Sequence, residues 1–291
     1  MKSSTIQLQN LSIALEGTYF AQNCVQNLFS RESKTVIMAM DNYSLLWDAT
    51  SQTYLKLRGH NNAISCMTIS ADRKWIFTAD RGVNSCVIVW NALTGVPQKV
   101  QTNQFDQGVT AMATNRAGTT ILMCGEPCVF NLSRERQNIR SEQESLVMKQ
   151  DFIAWNWSLN GSKSVVSTTK LSTHQEIQHA VVNNPTDMSE FATTGNTSLV
   201  FWDVLGRSLV MSVGSGGDIL RPEKIGHFTQ STYTSDTDLV VTVTDQGWGV
   251  VWGHVASNSS NRTQHLIRLE RVAFRVVKLH NFGIHLIIPY G

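Results

Sequence analysis

The stretch "LRGHNNAISCMTISADRKWIFTADRGVNSCVIVWN", Leu57–Asn91, decides how this chain is read. Three apolar runs rich in β-branched and aromatic residues, "ISCMTI", "WIFTA" and "CVIVW", are separated by short polar turns. That is the pattern of successive antiparallel strands. A Gly59-His60 pair stands before the first run and Trp90-Asn91 closes the third.

The closing tryptophan recurs. "LLWD", "VIVWN", "FIAWN", "VFWD" and "VVWG" place Trp47, Trp90, Trp155, Trp202 and Trp252 at spacings of 43, 65, 47 and 50 residues. A period near 40–45 is that of a four-stranded sheet repeated as a unit. The long spacing contains an insert at about 126–150, whose middle, Arg134 to Glu144, mixes both signs of charge without strand periodicity. It reads as a solvated loop or short helix. Turn residues precede the tryptophan strands in "MDNYS", "DRGVNS", "TTGNTS" and "TDQGWG", where Asp, Asn and Gly supply positive φ and local hydrogen bonds. No helical periodicity persists. The expected fold is all-β, with blade ends near 48, 91, 156, 203 and 253 and a partial sixth blade over 265–291. All of it forms one domain over 1–291, in an incomplete ring.

Composition narrows the function classes. The chain has 291 residues, 42% hydrophobic but only 16% charged, with a net charge of +2. A near-neutral balance gives no electrostatic reason to expect nucleic acid or an anionic membrane as partner. Five scattered cysteines, an odd number, do not form a disulfide framework. The opening "MKSSTIQLQNLSIAL" lacks the continuous apolar run of a secretory signal. A cytoplasmic, cytoskeletal protein is expected.

The sequence carries none of the common motifs of catalysis or cofactor binding. There is no P-loop, dinucleotide fingerprint, HExxH or Gly-x-Ser-x-Gly. "GSGGD", Gly214 to Asp218, reads as a flexible loop between blades. Cys124, Cys128, His174 and His179 have only a vague zinc spacing, and four ligands would have to converge. The expectation is therefore no enzyme, no cofactor and no metal. The five repeat-end tryptophans and Trp75 read as core. Trp157 and Trp248 lie off the repeat register and are the candidates for a partner contact.

The Gly-His and Trp-Asp signatures resemble the WD-repeat family of β-propellers. The resemblance implies a buried hydrogen-bonded chain of His, a strand Ser/Thr, a turn Asp and the Trp in each blade. In the second repeat it assigns Gly59, His60, Thr78, Asn84 and Trp90, with Asn84 in the place of the aspartate. Trp47-Asp48, Trp155, Trp202-Asp203 and Trp252 mark the other repeats, with their histidine ends mostly degraded. Gly226-His227 is placed less well for the signature.

The order of motifs, and above all "ISCMTISADRKWIFTAD", "WNWSL" and "NPTD", is similar to one family within it. This is the cilia- and flagella-associated WD-repeat subunit at the radial-spoke base, in the calmodulin- and spoke-associated complex. The likeness covers roughly Leu45 to Leu279, without that family's calcium-binding region. It implies a scaffold of the ciliary axoneme whose partners are other spoke-base proteins. The alternative is a cytosolic WD-repeat adaptor in ubiquitin ligation or traffic. The repeat is unfinished at "LIIPYG", so either Ile6 to Leu15 pairs with the last blade or the chain is a piece of a longer propeller; the latter is favoured.

Overall fold

The computed structural model describes residues 25–28, 34–102, 104–131, 146–160, 165–171, 176–214, 217–235, 238–254, 264–271, 280–282 and 285–287. Ile6 to Leu15 and Arg134 to Glu144 lie outside them. The chain divides into two compact units, Met1–Met112 and Ala113–Gly291.

The first unit holds two four-stranded antiparallel sheets. One is β1 (Val25–Asn27), β2 (Thr35–Met40), β3 (Tyr43–Asp48) and β4 (Thr53–Arg58). The other is β5 (Ile64–Ile69), β6 (Trp75–Asp80), β7 (Cys86–Asn91) and β8 (Pro97–Thr102). Each runs in sequence order, as a meander. Such local pairing follows from the short turns: Met40 faces Tyr43 across Asp41-Asn42, a two-residue hairpin.

The next sheet joins β9 (Val109–Thr114), β10 (Thr120–Gly125), β12 (Leu146–Asn156) and β13 (Val165–Leu171). A short β11 (Cys128–Asn131) adds a fifth strand. The expected insert is thus anchored by strands. β12 runs long, pairing with β10 through its second half and with β11 through its first.

Further along, the second unit holds β14 (Gln178–Asn183), β15 (Glu190–Gly195), β16 (Leu199–Leu205) and β17 (Ser208–Val213). Its last four-stranded sheet is β18 (Phe228–Tyr233), β19 (Val240–Thr244), β20 (Trp248–His254) and β21 (Gln264–Arg271). Two findings here correct the sequence reading. β21 pairs with β20 and completes the fifth sheet, so "LIRLER" does not open a sixth; only the hairpin β22 (His280–Phe282) and β23 (His285–Ile287) follows among the described residues. Gly214 also packs closely against Trp252 rather than serving as a loose spacer; residues 215–216 lie outside the described residues, and a 3-10 turn (Gly217–Leu220) and one short helix, α1 (Pro222–Ile225), follow.

Burial explains why the strands read as they do. The middle strands β6, β7, β10 and β15 are buried at nearly every residue, so both faces must be apolar or hydrogen-bonded. Outer strands β4, β8 and β17 are mostly exposed and carry Thr, Gln, Lys and Ser. Within the first unit, Ile37, Leu46 and Leu57 pack with Ile76, Ile88 and Trp90 between its two sheets. In the second, Ala192, Leu199 and Phe201 pack with Phe228, Val250 and Trp252.

Candidate functional site

Every repeat-end tryptophan sits on the third strand of its sheet: Trp47 on β3, Trp90 on β7, Trp155 on β12, Trp202 on β16 and Trp252 on β20. Four are buried; Trp47 is half-buried. Each faces a residue of the second strand, and the residue two further along that strand is the one its indole N–H can reach. Trp90 faces Ile76 and donates to Thr78 Oγ1 at 2.8 Å. Trp202 faces Phe191 and donates to Thr193 at 2.8 Å. Trp252 faces Val240 and donates to Thr242 at 3.0 Å. Trp155 faces Ile121, so the reachable residue is Met123, and its buried N–H is without an acceptor.

The second sheet extends this contact furthest. Thr78 Oγ1 lies 2.7 Å from His60 Nε2, and His60 Nδ1 lies 3.1 Å from Asp80 Oδ2. A carboxylate only accepts, so Nδ1–H donates to Asp80 and Nε2 accepts the Thr78 hydroxyl proton. Asp80 Oδ1 also accepts the Cys86 backbone N–H at 2.7 Å. Asp80, four residues on from Ile76, therefore holds the place that the sequence reading gave to Asn84. Asn84 is instead an exposed turn residue at φ 56°, where asparagine tolerates the left-handed region. The aspartate was missed because its distance along the chain from the tryptophan gave no sign of the register.

The same trio, His60, Asp80 and Cys86, has the donor types of a metal site. Its atoms are already matched as hydrogen-bond donors and acceptors, with Cys86 Sγ 3.8 Å from Asp80 Oδ2. Burial, with the Asp80 charge beside it, pushes the Cys86 thiol up to about 12. Burial likewise pushes Cys66 up to about 12. Both stay protonated and inert as nucleophiles.

The opening Gly-His pair also has a packing reason. A Cβ on Gly59 would stand 2.8 Å from Ile88 Cδ1 and 3.3 Å from the Trp90 ring. Gly214 does the same work in the second unit, where a Cβ would stand 2.8 Å from Trp252 Cζ3. His227, by contrast, is exposed.

Other polar links replace the histidine in the second unit. The Thr242 hydroxyl lies 2.7 Å from Ser231, which accepts from Thr194 at 2.8 Å. Gln150 on β12 donates to the Gln178 carbonyl at 2.7 Å and accepts the Gln178 N–H at 2.8 Å. Glu176 Oε2 accepts the N–H groups of Thr197 and Ser198 at 2.7 and 2.9 Å, and both hydroxyls at 3.0 Å. The buried Glu190 accepts from Tyr233 Oη at 2.7 Å; burial and then that carboxylate raise the Tyr233 pKa well above its usual value.

The residue after each tryptophan has a separate task. Asp48 accepts the Thr50 N–H at 2.9 Å, Asn91 those of Leu93 and Thr94 at 3.0 Å, and Asn156 that of Ser158 at 3.2 Å. These are side-chain caps of the turn into the fourth strand. Asp203 on β16 pairs across with Glu190. The two off-register tryptophans are both half-buried. Trp157 donates to the Gly118 carbonyl at 2.6 Å, and Trp248 packs on the core of the second unit.

Four-stranded antiparallel meanders, with tryptophan on the third strand and one complete His–Thr–Trp–Asp network, define a WD-repeat β-propeller protein. The solved structure titled "Structure of U3-55K" shares the fold at a TM-score of 0.51 and 16% identity, over 86% of this chain and 68% of that one. Residues 18–290 match the family described as the CFAP251 N-terminal domain, and the chain belongs to that family. It is 28% identical over 249 residues to cilia- and flagella-associated protein 251 of Tetrahymena thermophila, covering 86% of this chain and 23% of the relative. The Chlamydomonas reinhardtii protein of the same name is 24% identical over 289 residues, 97% of this chain and 34% of the relative. Human echinoderm microtubule-associated protein-like 4 is 21% identical over 214 residues, 70% of this chain and 20% of the relative. The chain thus spans between 20% and 34% of these relatives' lengths.

Proposed function

We propose that this chain is a non-enzymatic interaction scaffold of motile cilia or flagella, built into the axoneme at the radial-spoke base. The observation that carries the reading is the family match over residues 18–290, with relatives named as cilia- and flagella-associated. The motif order from Leu45 to Leu279 supports the spoke-base location. The geometry supports a scaffold, because the buried His60, Asp80 and Glu190 and the half-buried Glu176 are engaged in joining strands. Rigid sheets that hold their outer strands and turns in fixed positions suit a large, mostly polar interface. The expected partners are other subunits of the calmodulin- and spoke-associated complex, with no nucleic acid, membrane or cofactor involved.

The native-length product, tagged in a ciliated cell, tests this. It is expected to remain with axonemes after detergent extraction and to co-purify with spoke-base subunits. Recovery wholly in the detergent-soluble fraction would overturn the reading in favour of a cytosolic adaptor.

A further inference from the structure

We infer that the outer strand of the first sheet, β4, is a docking edge for an extended acidic peptide. β4 is the last strand of its sheet, and among the described residues no strand pairs with its outer side. The register Tyr43↔Arg58, Leu45↔Lys56 and Trp47↔Tyr54 puts Tyr54, Lys56 and Arg58 on one face with Tyr43. Lys56 Nζ lies 5.3 Å from the Tyr43 ring centroid and 6.0 Å from that of Tyr54, and Arg58 Cζ lies 5.9 Å from Tyr43. Both cations and Tyr54, which is 64% exposed, open to solvent.

Three features make this edge a receptor rather than a merely soluble rim. Among the described residues, neither cation has a carboxylate within ion-pair distance, so their charge is unspent. The tyrosine rings hold both cations in place, which lowers the entropy lost when a ligand is gripped. The outer strands β8 (PQKVQT), β13 (VVSTTKL) and β17 (SLVMSV) carry one cation or none, and the two arginines of β21 (QHLIRLER) stand three residues apart with a glutamate between them, so a pair of cations at two-residue spacing is particular to β4 among these outer strands.

The spacing names the occupant. Lys56 and Arg58 are two residues apart on one strand face, so their side chains repeat at the strand's two-residue period. A peptide added along β4 presents its own alternate side chains at that repeat. Carboxylates at every second position would meet the two cations, while the peptide backbone pairs with the free edge. Tyr54 and the 42%-exposed Leu55 offer apolar contact on either side of the strand. The ligand class is therefore a strand-forming peptide with Glu or Asp at alternate residues.

Fluorescence anisotropy with the full 291-residue chain tests the inference, independently of where the protein resides. The probe is a labelled alternating Glu-Val peptide, with the Gln-Val peptide as its neutral twin. Glu-Val is expected to bind, weakening with salt, and Gln-Val to bind at least about tenfold more weakly, the scale of two exposed charge contacts. Lys56→Gln with Arg58→Gln is expected to lower Glu-Val affinity by the same factor at an unchanged melting temperature. Arg73→Gln with Lys74→Gln, an equal change of net charge elsewhere in the unit, should leave it unaltered. Equal affinity for the two peptides, or equal loss in the two double variants, would overturn the proposal.

Discussion

The second and third sheets carry the same buried tryptophan on the same strand, yet one indole is hydrogen-bonded and the other is not. Trp90 reaches Thr78 and, through it, His60 and Asp80. For Trp155 the equivalent position holds Met123, and its N–H is buried without a partner. The aromatic ring is thus the constant of the repeat, because its apolar area is buried in both. The polar chain is an addition that depends on one residue of the neighbouring strand.

The largest effect should be shared by both sheets. Trp90→Ala and Trp155→Ala are each expected to cost about 3–5 kcal/mol in urea unfolding, since both empty a packed core. A much smaller loss at Trp155 would show that the ring itself depends on its hydrogen bond.

Next comes the carboxylate that only the second sheet possesses. Asp80→Ala strands His60 Nδ1 and the Cys86 N–H, and at roughly 1–3 kcal/mol for each buried unpaired donor the loss should total about 2–6 kcal/mol. Asn84→Gly, in the exposed turn, should stay within about 0.5 kcal/mol. Comparable losses at the two would return the network to Asn84.

A finer contrast removes only the indole N–H. Trp90→Phe should cost about 1 kcal/mol more than Trp155→Phe, because only the former breaks a hydrogen bond. Met123→Thr offers Trp155 the hydroxyl it lacks. In a cycle with Trp155→Phe the pair should couple by about 0.5–1 kcal/mol, and zero coupling would break the rule that the position two residues on from the facing residue supplies the acceptor.

The smallest expected effect is a pH dependence in the second unit. Burial lowers the His179 pKa below 6.5, against a weaker opposing bond to the Thr229 carbonyl. The unfolded chain therefore takes up this proton more readily than the folded one, so stability falls as pH drops below about 6.5. His179→Gln should flatten that part of the stability profile between pH 7 and 5. An unchanged slope would remove His179 as its source.

Much of the fold was legible because strand patterning is local. The five tryptophans, the hairpin residues and the apolar middle strands all announce themselves within a few residues. The site was legible only where one sheet keeps a full signature, at Gly59, His60, Thr78 and Trp90. Gly214 went unrecognised because it precedes its tryptophan by 38 residues, across a 3-10 turn and α1. β21 was given to a sixth blade because the interval before it hides its pairing with β20.

By itself, the sequence determined that this protein is a series of antiparallel sheets, each closed by a tryptophan on its third strand. Periodicity and turn chemistry suffice for that, since each acts over neighbouring residues. The tertiary structure decided which polar atoms meet: Asp80 rather than Asn84 at His60, nothing at Trp155, Gly214 beneath Trp252, and Lys56 and Arg58 over the tyrosines of β3 and β4. Those meetings depend on register across strands and on distances of a few ångströms between segments far apart in the chain, which sequence spacing does not encode.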